Sequence, residues 1–111
     1  MEEHAIVIAD PSGVIRFWSD GAETAFGHAA EDAVGQTLDL IVPAEHREAH
    51  WIGFRRAIAS GTASVEGQAI PFPGRRADGE IVVRPGRLTL VRRPDGQAIA
   101  AMVVFDTRAA A

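Results

Sequence analysis

Residues 43–61, PAEHREAHWIGFRRAIASG, are the one stretch of this sequence long enough and regular enough to read as a full helix. Pro43 suits the turn before a helix, because its fixed φ is compatible with a helix start. Gly61 suits the end, where a left-handed residue closes the last turn. Glu45 and Glu48 lie in the first turns, with Arg55 and Arg56 nearer the end, the order the helix dipole favours. The spacing therefore predicts one long helix from Pro43 to about Ser60. It carries His46 and His50 one turn apart, then Trp51, Phe54 and the Arg55–Arg56 pair.

Working outward from this helix, the chain reads mostly as strands and short turns. On the N-terminal side, residues 4–9 (HAIVIA) form a short β-branched apolar run, which predicts a buried strand. Asp10-Pro11-Ser12-Gly13 is turn chemistry. Residues 14–18 follow as a second strand, with Ile15 and Phe17 alternating against Arg16 and Trp18, paired to the first as a hairpin. Ser19 or Asp20 caps a short helix through Phe26, which Gly27 ends. Residues 29–34 are a second helical piece stopped by Gly35, and 37–42 lead into Pro43.

Beyond Gly61 the pattern switches to strands. Residues 63–70 alternate loosely and predict a strand. Residues 71–79 contain Pro71 and Pro73 and predict a loop. Residues 80–92 predict a long strand that Pro85-Gly86 bends or bulges, and Pro94-Asp95-Gly96 a turn. Residues 97–105 (QAIAAMVVF) predict a central strand covered on both faces. The expected fold is α+β: a five-stranded antiparallel sheet with helices on one face, in a single domain over 1–111. Any ligand cavity would lie between the long helix and the sheet.

Composition narrows the function. With no cysteine, disulfides, thiolate metal sites and cysteine nucleophiles are excluded. All eleven basic residues are arginine, which excludes lysine Schiff-base chemistry. A net charge of −4 argues against a nucleic-acid partner. No apolar run approaches the ~20 residues that span a bilayer. The acidic start lacks the basic segment of a secretory signal, so a cytoplasmic location is expected. No catalytic motif or paired acid/base spacing is present, so a non-enzymatic role is expected.

The long helix carries the remaining chemistry. His50 can ligate iron through Nε2, with its other nitrogen bonded to a carbonyl or carboxylate, or it can simply fill the cavity or face water. His46 and His50 have the i, i+4 spacing of a zinc pair, but HREAH places Arg47 where a zinc protease has glutamate, and no third ligand is near in sequence. Arg56 can bind a carboxylate bidentately or stand in solvent. Trp51, Phe54, Leu88, Leu90, Met102 and Val104 can make apolar walls or ordinary core. Met102 is also a possible sixth iron ligand, though methionine more often fills gaps.

Several segments in order resemble the PAS domain family over essentially the whole chain. The opening hairpin is followed by Ser19, Ala22 and Phe26-Gly27, then by Glu31 and Gly35-Gln36; GRRADGE occurs in the middle and Asp106-Thr107 at the end. The flavin and cinnamic-acid photoactive classes need a cysteine on the long helix, so their absence here excludes both. The closer resemblance is to the haem-binding PAS domains of FixL-type oxygen sensors. These place a proximal histidine seven residues after the proline that opens the long helix, and a propionate-pairing arginine six residues later. His50 and Arg56 stand at those positions relative to Pro43.

The resemblance implies haem b (iron protoporphyrin IX) as cofactor and His50 as its metal ligand, with Arg56 on a propionate. Trp51, Phe54, Gln68, Leu88, Leu90, Met102 and Val104 would complete the cofactor site. It implies a diatomic gas (O2, CO or NO) as ligand, a signalling output element as partner, and homodimerisation. Those sensors carry an arginine just after a glycine in the third strand; here Gly67 is followed by Gln68, an uncharged amide donor. The alternative is a cofactor-free PAS module for dimerisation or small-metabolite binding, in which His50 is incidental.

Overall fold

The turn at residues 10–13 folds the first hairpin. The Asp10 carboxylate accepts hydrogen bonds from the backbone N–H groups of Ser12 (2.9 Å) and Val14 (3.1 Å), while Gly13 takes a left-handed φ of 82°. A computed structural model, which describes residues 4–108, shows the hairpin strands as β1 (His4–Ala9) and β2 (Ile15–Trp18). The chain continues through α1 (Asp20–Phe26), α2 (Ala30–Ala33) and two 3-10 turns (Leu38–Leu40 and Ala44–His46). Then come α3 (Arg47–Ser60), β3 (Ala69–Arg75), β4 (Ile81–Arg92) and β5 (Ala98–Asp106). The strands form one antiparallel sheet in the order β2-β1-β5-β4-β3.

The core lies under α1 and α2, against the β2-β1-β5 half of the sheet. Ser19 caps α1 as its sequence predicts: its Oγ accepts from the N–H of Ala22 (3.2 Å) and from that of Ile6 (2.8 Å). Gly27 closes α1 at a φ of 81°. Phe26, on the last turn, is 2% exposed and is the hub of the aromatic cluster. Its ring lies 5.5 Å from Trp18 and 5.2 Å from Phe105, and Phe105 lies 5.5 Å from Phe72. Burying a phenylalanine this completely contributes about 2–3 kcal/mol. Among the described residues no helix is long and apolar enough to cross a membrane.

The five-stranded α+β arrangement agrees with the sequence reading, but several details differ. The hairpin register shifts between Ile8 and Ala9, which pair with Phe17 and Ile15, so Arg16 is the extra residue of a bulge. The bulge reverses the alternation. Trp18 turns into the core beside Ile15, and Phe17 faces out at 46% exposure.

The third strand is displaced toward the C-terminus. Residues 64–67 are turns within a segment, 63–68, that contains no strand, and β3 runs through Pro71 and Pro73. The prolines are tolerated because β3 is an edge strand; Pro71 pairs with Pro85, where neither residue has an N–H to donate. β4 passes Pro85-Gly86 in regular register with β3, and its irregularity falls at Val91/Arg92.

β5 is central, as expected, but only one face is covered by helices; Ile99 on the other is 43% exposed. Finally, Ala44–His46 is a 3-10 turn, so α3 proper begins at Arg47 rather than directly after Pro43.

Candidate ligand cavity

No residue of α3 is buried. The helix is held at its ends rather than by a packed face, and this leaves a space beneath it.

At the N-terminal end the Trp51 indole donates to Asp39 Oδ1 at 2.8 Å. Its ring lies so close to Gly13 that a Cβ there would come within 2.3 Å of the indole carbons. Arg47 donates from the same end to the carbonyls of Val42 and Asp39, both at 3.1 Å. At the other end Gly61 caps the helix at a φ of 72°, and its carbonyl accepts from Arg92 Nε at 2.7 Å.

Arg92 also pairs with Glu66, whose Oε2 accepts from the Leu90 N–H at 2.9 Å. The Arg92 hydrogen bond holds the Glu66 carboxyl below the usual carboxylate range, and Glu66 in turn raises the Arg92 guanidinium. These bonds fasten the 61–68 segment to β4.

Between these fixings lies a cavity of about 850 Å³. This is within the ~300–1,000 Å³ range of small-molecule and cofactor sites. Its sheet wall includes Ile70, Phe72, Leu88, Leu90, Val103 and Phe105, and its helix wall Ala49, His50, Gly53, Phe54, Arg56 and Ala57. The polar side chains lining it are His50, Arg56, Ser60, Thr62 and Ser64, all on α3 or just after it. The sheet side offers no polar side chain.

His50 is half-buried. Its ring lies 4.8 Å from Trp51 and 5.9 Å from Phe54. Burial pushes the imidazole below its ordinary value of 6.5, partly opposed by the charge of Asp39. Its Nδ1 is buried without a hydrogen-bond partner. A nitrogen left in that state costs about 1–3 kcal/mol, and because it is shut off from the cavity, only the opposite side of the ring is open to an occupant.

Five of the nine residues singled out from sequence line this cavity: His50, Phe54, Arg56, Leu88 and Leu90. Arg56 is exposed and stands at the rim. The other four lie elsewhere. Trp51 faces the β1–β2 turn. Gln68 is exposed on the turn before β3, donating to the Ser64 carbonyl at 3.3 Å, so the third-strand wall is made by Ile70 and Phe72 instead. Met102 and Val104 have the wrong parity. Leu88 pairs with Val103 and Leu90 with Ala101, and these share the cavity face, while Met102 and Val104 point to the outer face. His46 is exposed, and among the described residues no cluster of three or more His, Cys, Asp or Glu is placed to hold a metal ion.

The sequence matches the family model described as the PAS fold over residues 3–110. It is 31% identical over 104 residues to an uncharacterized protein of Azorhizobium caulinodans, covering 92% of this chain and 14% of that one. It is 28% identical over 75 residues to Sensor protein FixL of Bradyrhizobium diazoefficiens, covering 68% of this chain and 15% of that one. The chain thus spans about a seventh of the length of these curated relatives. Among solved structures, the PAS domain of a protein from Colwellia psychrerythraea superposes with a TM-score of 0.80 at 21% identity, covering 98% of this chain and 87% of that one.

Proposed function

This chain belongs to the PAS family, and from that premise we propose that it is a sensor domain whose cavity holds haem b and responds to a diatomic gas. The observation that carries the reading is His50: a half-buried imidazole, its proton affinity lowered by burial, on the wall of an apolar cavity. A neutral imidazole is the form that binds iron.

The other residues fit the group as well. Arg56, exposed at the rim, would pair with a propionate and leave that carboxylate in contact with water. Phe54, Leu88 and Leu90 supply apolar walls. When bound, haem supplies an iron with a coordination position open to a gas; the residues of this chain hold, orient and shelter it. Because the sheet wall carries no hydrogen-bond donor side chain, the cavity favours a gas that binds without one, and CO or NO fits that wall better than O2.

Titration of the purified protein with haemin tests the reading. Stoichiometric uptake with a histidine-type Soret spectrum is expected, and His50→Ala should shift or abolish it. No uptake, or an unchanged spectrum in the variant, overturns it. A second reading, a cofactor-free dimerisation module, draws on the outer sheet face, where Phe17 and Ile99 are exposed at 46% and 43%. That reading predicts a concentration-dependent dimer, weakened by Phe17→Ser, in protein that takes up no haemin.

A further inference from the structure

The geometry points to Gly53 as the residue that sets which ligands the cavity accepts: it leaves a layer of open space against the α3 backbone that suits a rigid, planar ring. The inference deepens the haem reading and rests on it for the identity of the ring. Glycine in a helix interior is disfavoured, second only to proline. Two things ordinarily require it, a left-handed backbone or close packing. Neither applies here. Gly53 is not among the residues of positive φ, and a Cβ built on it meets nothing within 4 Å. By contrast, a Cβ at Gly13, Gly21 or Gly74 would run into Trp51, the His4 carbonyl or Phe26.

Gly53 lines the cavity one turn beyond His50 and one turn before Ala57, with Ala49 one turn earlier on the same wall. Beside Phe54, the strip of this wall made by Ala49, Gly53 and Ala57 therefore carries nothing larger than a methyl group, and at Ala49 and Gly53 it is open to solvent. A flexible chain can bend around a side chain and gains little from such a surface. A rigid ring cannot bend, and needs the full layer free.

Wild type, Gly53→Ala and Gly53→Leu are compared in two measurements. Ligand-free thermal unfolding should show the alanine variant more stable, its Tm raised by about 4 °C, since the methyl enters open space and improves the helix. Haemin affinity should fall about tenfold in the alanine variant and about a hundredfold or more in the leucine variant. A lower Tm for Gly53→Ala would show that the glycine serves the fold, and would overturn the proposal. So would a folded Gly53→Leu that binds haemin within threefold of wild type. Dodecanoate, a flexible anion, is the control: a loss equal to that of haemin overturns the planar-ring assignment. If wild type itself takes up no haemin, the haem reading fails alone, and the same variants are titrated with 8-anilinonaphthalene-1-sulfonate. Loss of that aromatic anion in Gly53→Leu then upholds Gly53 as the size-setting position, and unchanged binding overturns it.

Discussion

Gly13→Ala reaches α3 from the far side of a turn, and its effect can be worked from the structure. The position has a φ of 82°, and a Cβ there would come within 2.3 Å of the Trp51 ring. Two costs therefore add. Holding an L-residue in the left-handed region costs roughly 1–2 kcal/mol. Forcing the indole aside is an overpacking change of roughly 1–3 kcal/mol. Alanine also narrows the unfolded ensemble, which offsets roughly 0.4–1 kcal/mol. The net expectation is a loss of about 1–5 kcal/mol. In a Trp51→Ala background only the backbone cost remains, about 1–2 kcal/mol before the offset. The double-mutant cycle should thus give a coupling of about 1–3 kcal/mol. Urea unfolding followed by far-UV circular dichroism measures it without relying on the deleted indole. Because Trp51 also holds the N-terminal half of α3 through Asp39, amide exchange over residues 47–54 should quicken in Gly13→Ala. Additive single and double variants, within about 0.5 kcal/mol, would refute the claim that Trp51 pins α3 on this turn.

Ser19→Ala removes the acceptor for both Ala22 N–H and Ile6 N–H, and should cost about 1–2 kcal/mol in chemical denaturation. The His50 imidazole is held below 6.5 in the folded chain, so the unfolded chain binds its proton more tightly; the contribution of neutral His50 is complete above about pH 6.5 and is lost as pH falls through it toward the lower folded value. His50→Gln should flatten the stability profile in that window, and an unchanged acid slope would count against burial of a neutral ring. Glu66 acts lower on the scale: its carboxyl is depressed from 4.5, so its contribution is present above about pH 4.5 and lost below it. Glu66→Gln should remove that second acid step and speed amide exchange at Gly67 and Leu90, whose N–H groups the 61–68 fastening protects.

The features legible in the sequence were those with a local physical cause. Ser19 as a cap, Gly27 and Gly61 as helix stops, and the 10–13 turn each follow from the chemistry of one to four residues. The differences arise where long-range pairing decides. Nothing near Arg16 announces a bulge, yet that one extra residue exchanges the faces of Phe17 and Trp18. Pro71 and Pro73 read as a loop because proline excludes a central strand, and only the sheet order reveals β3 as an edge. The same dependence divided the candidate site. His50, Phe54 and Arg56 share one helix, where spacing fixes the face. Leu88 and Leu90 have the parity of the cavity, whereas Met102 and Val104 miss it by one residue on the neighbouring strand. Gly53 was overlooked for another reason: its contribution is space, which no side-chain chemistry advertises.

The division of the fold into a packed half and an open half bears on how an occupant would be felt elsewhere. α1 and α2 close the core over β2, β1 and β5, while α3 spans the remaining inner face without burying a residue of its own. An occupant would contact both α3 and the apolar sheet wall, and so supply packing that the chain lacks there. Its binding would stabilise the fold through mass action, and α3 and the 61–68 segment most directly. Phe105 belongs to both halves, lining the cavity while its ring meets Phe26 at 5.2 Å. Phe26 ends α1, and the carbonyl before it, that of Ala25, accepts from Arg84 at 2.9 Å. Arg84 is 6% exposed and also donates to the Thr107 carbonyl just past β5, tying the last described turn to α1. A displacement of Phe105 therefore works against a rigid aromatic contact and, through α1, against the clamp at the end of the sheet. An occupant could shift that arrangement only if its contacts differed between the shifted and unshifted states, so its shape, and not its affinity alone, would matter.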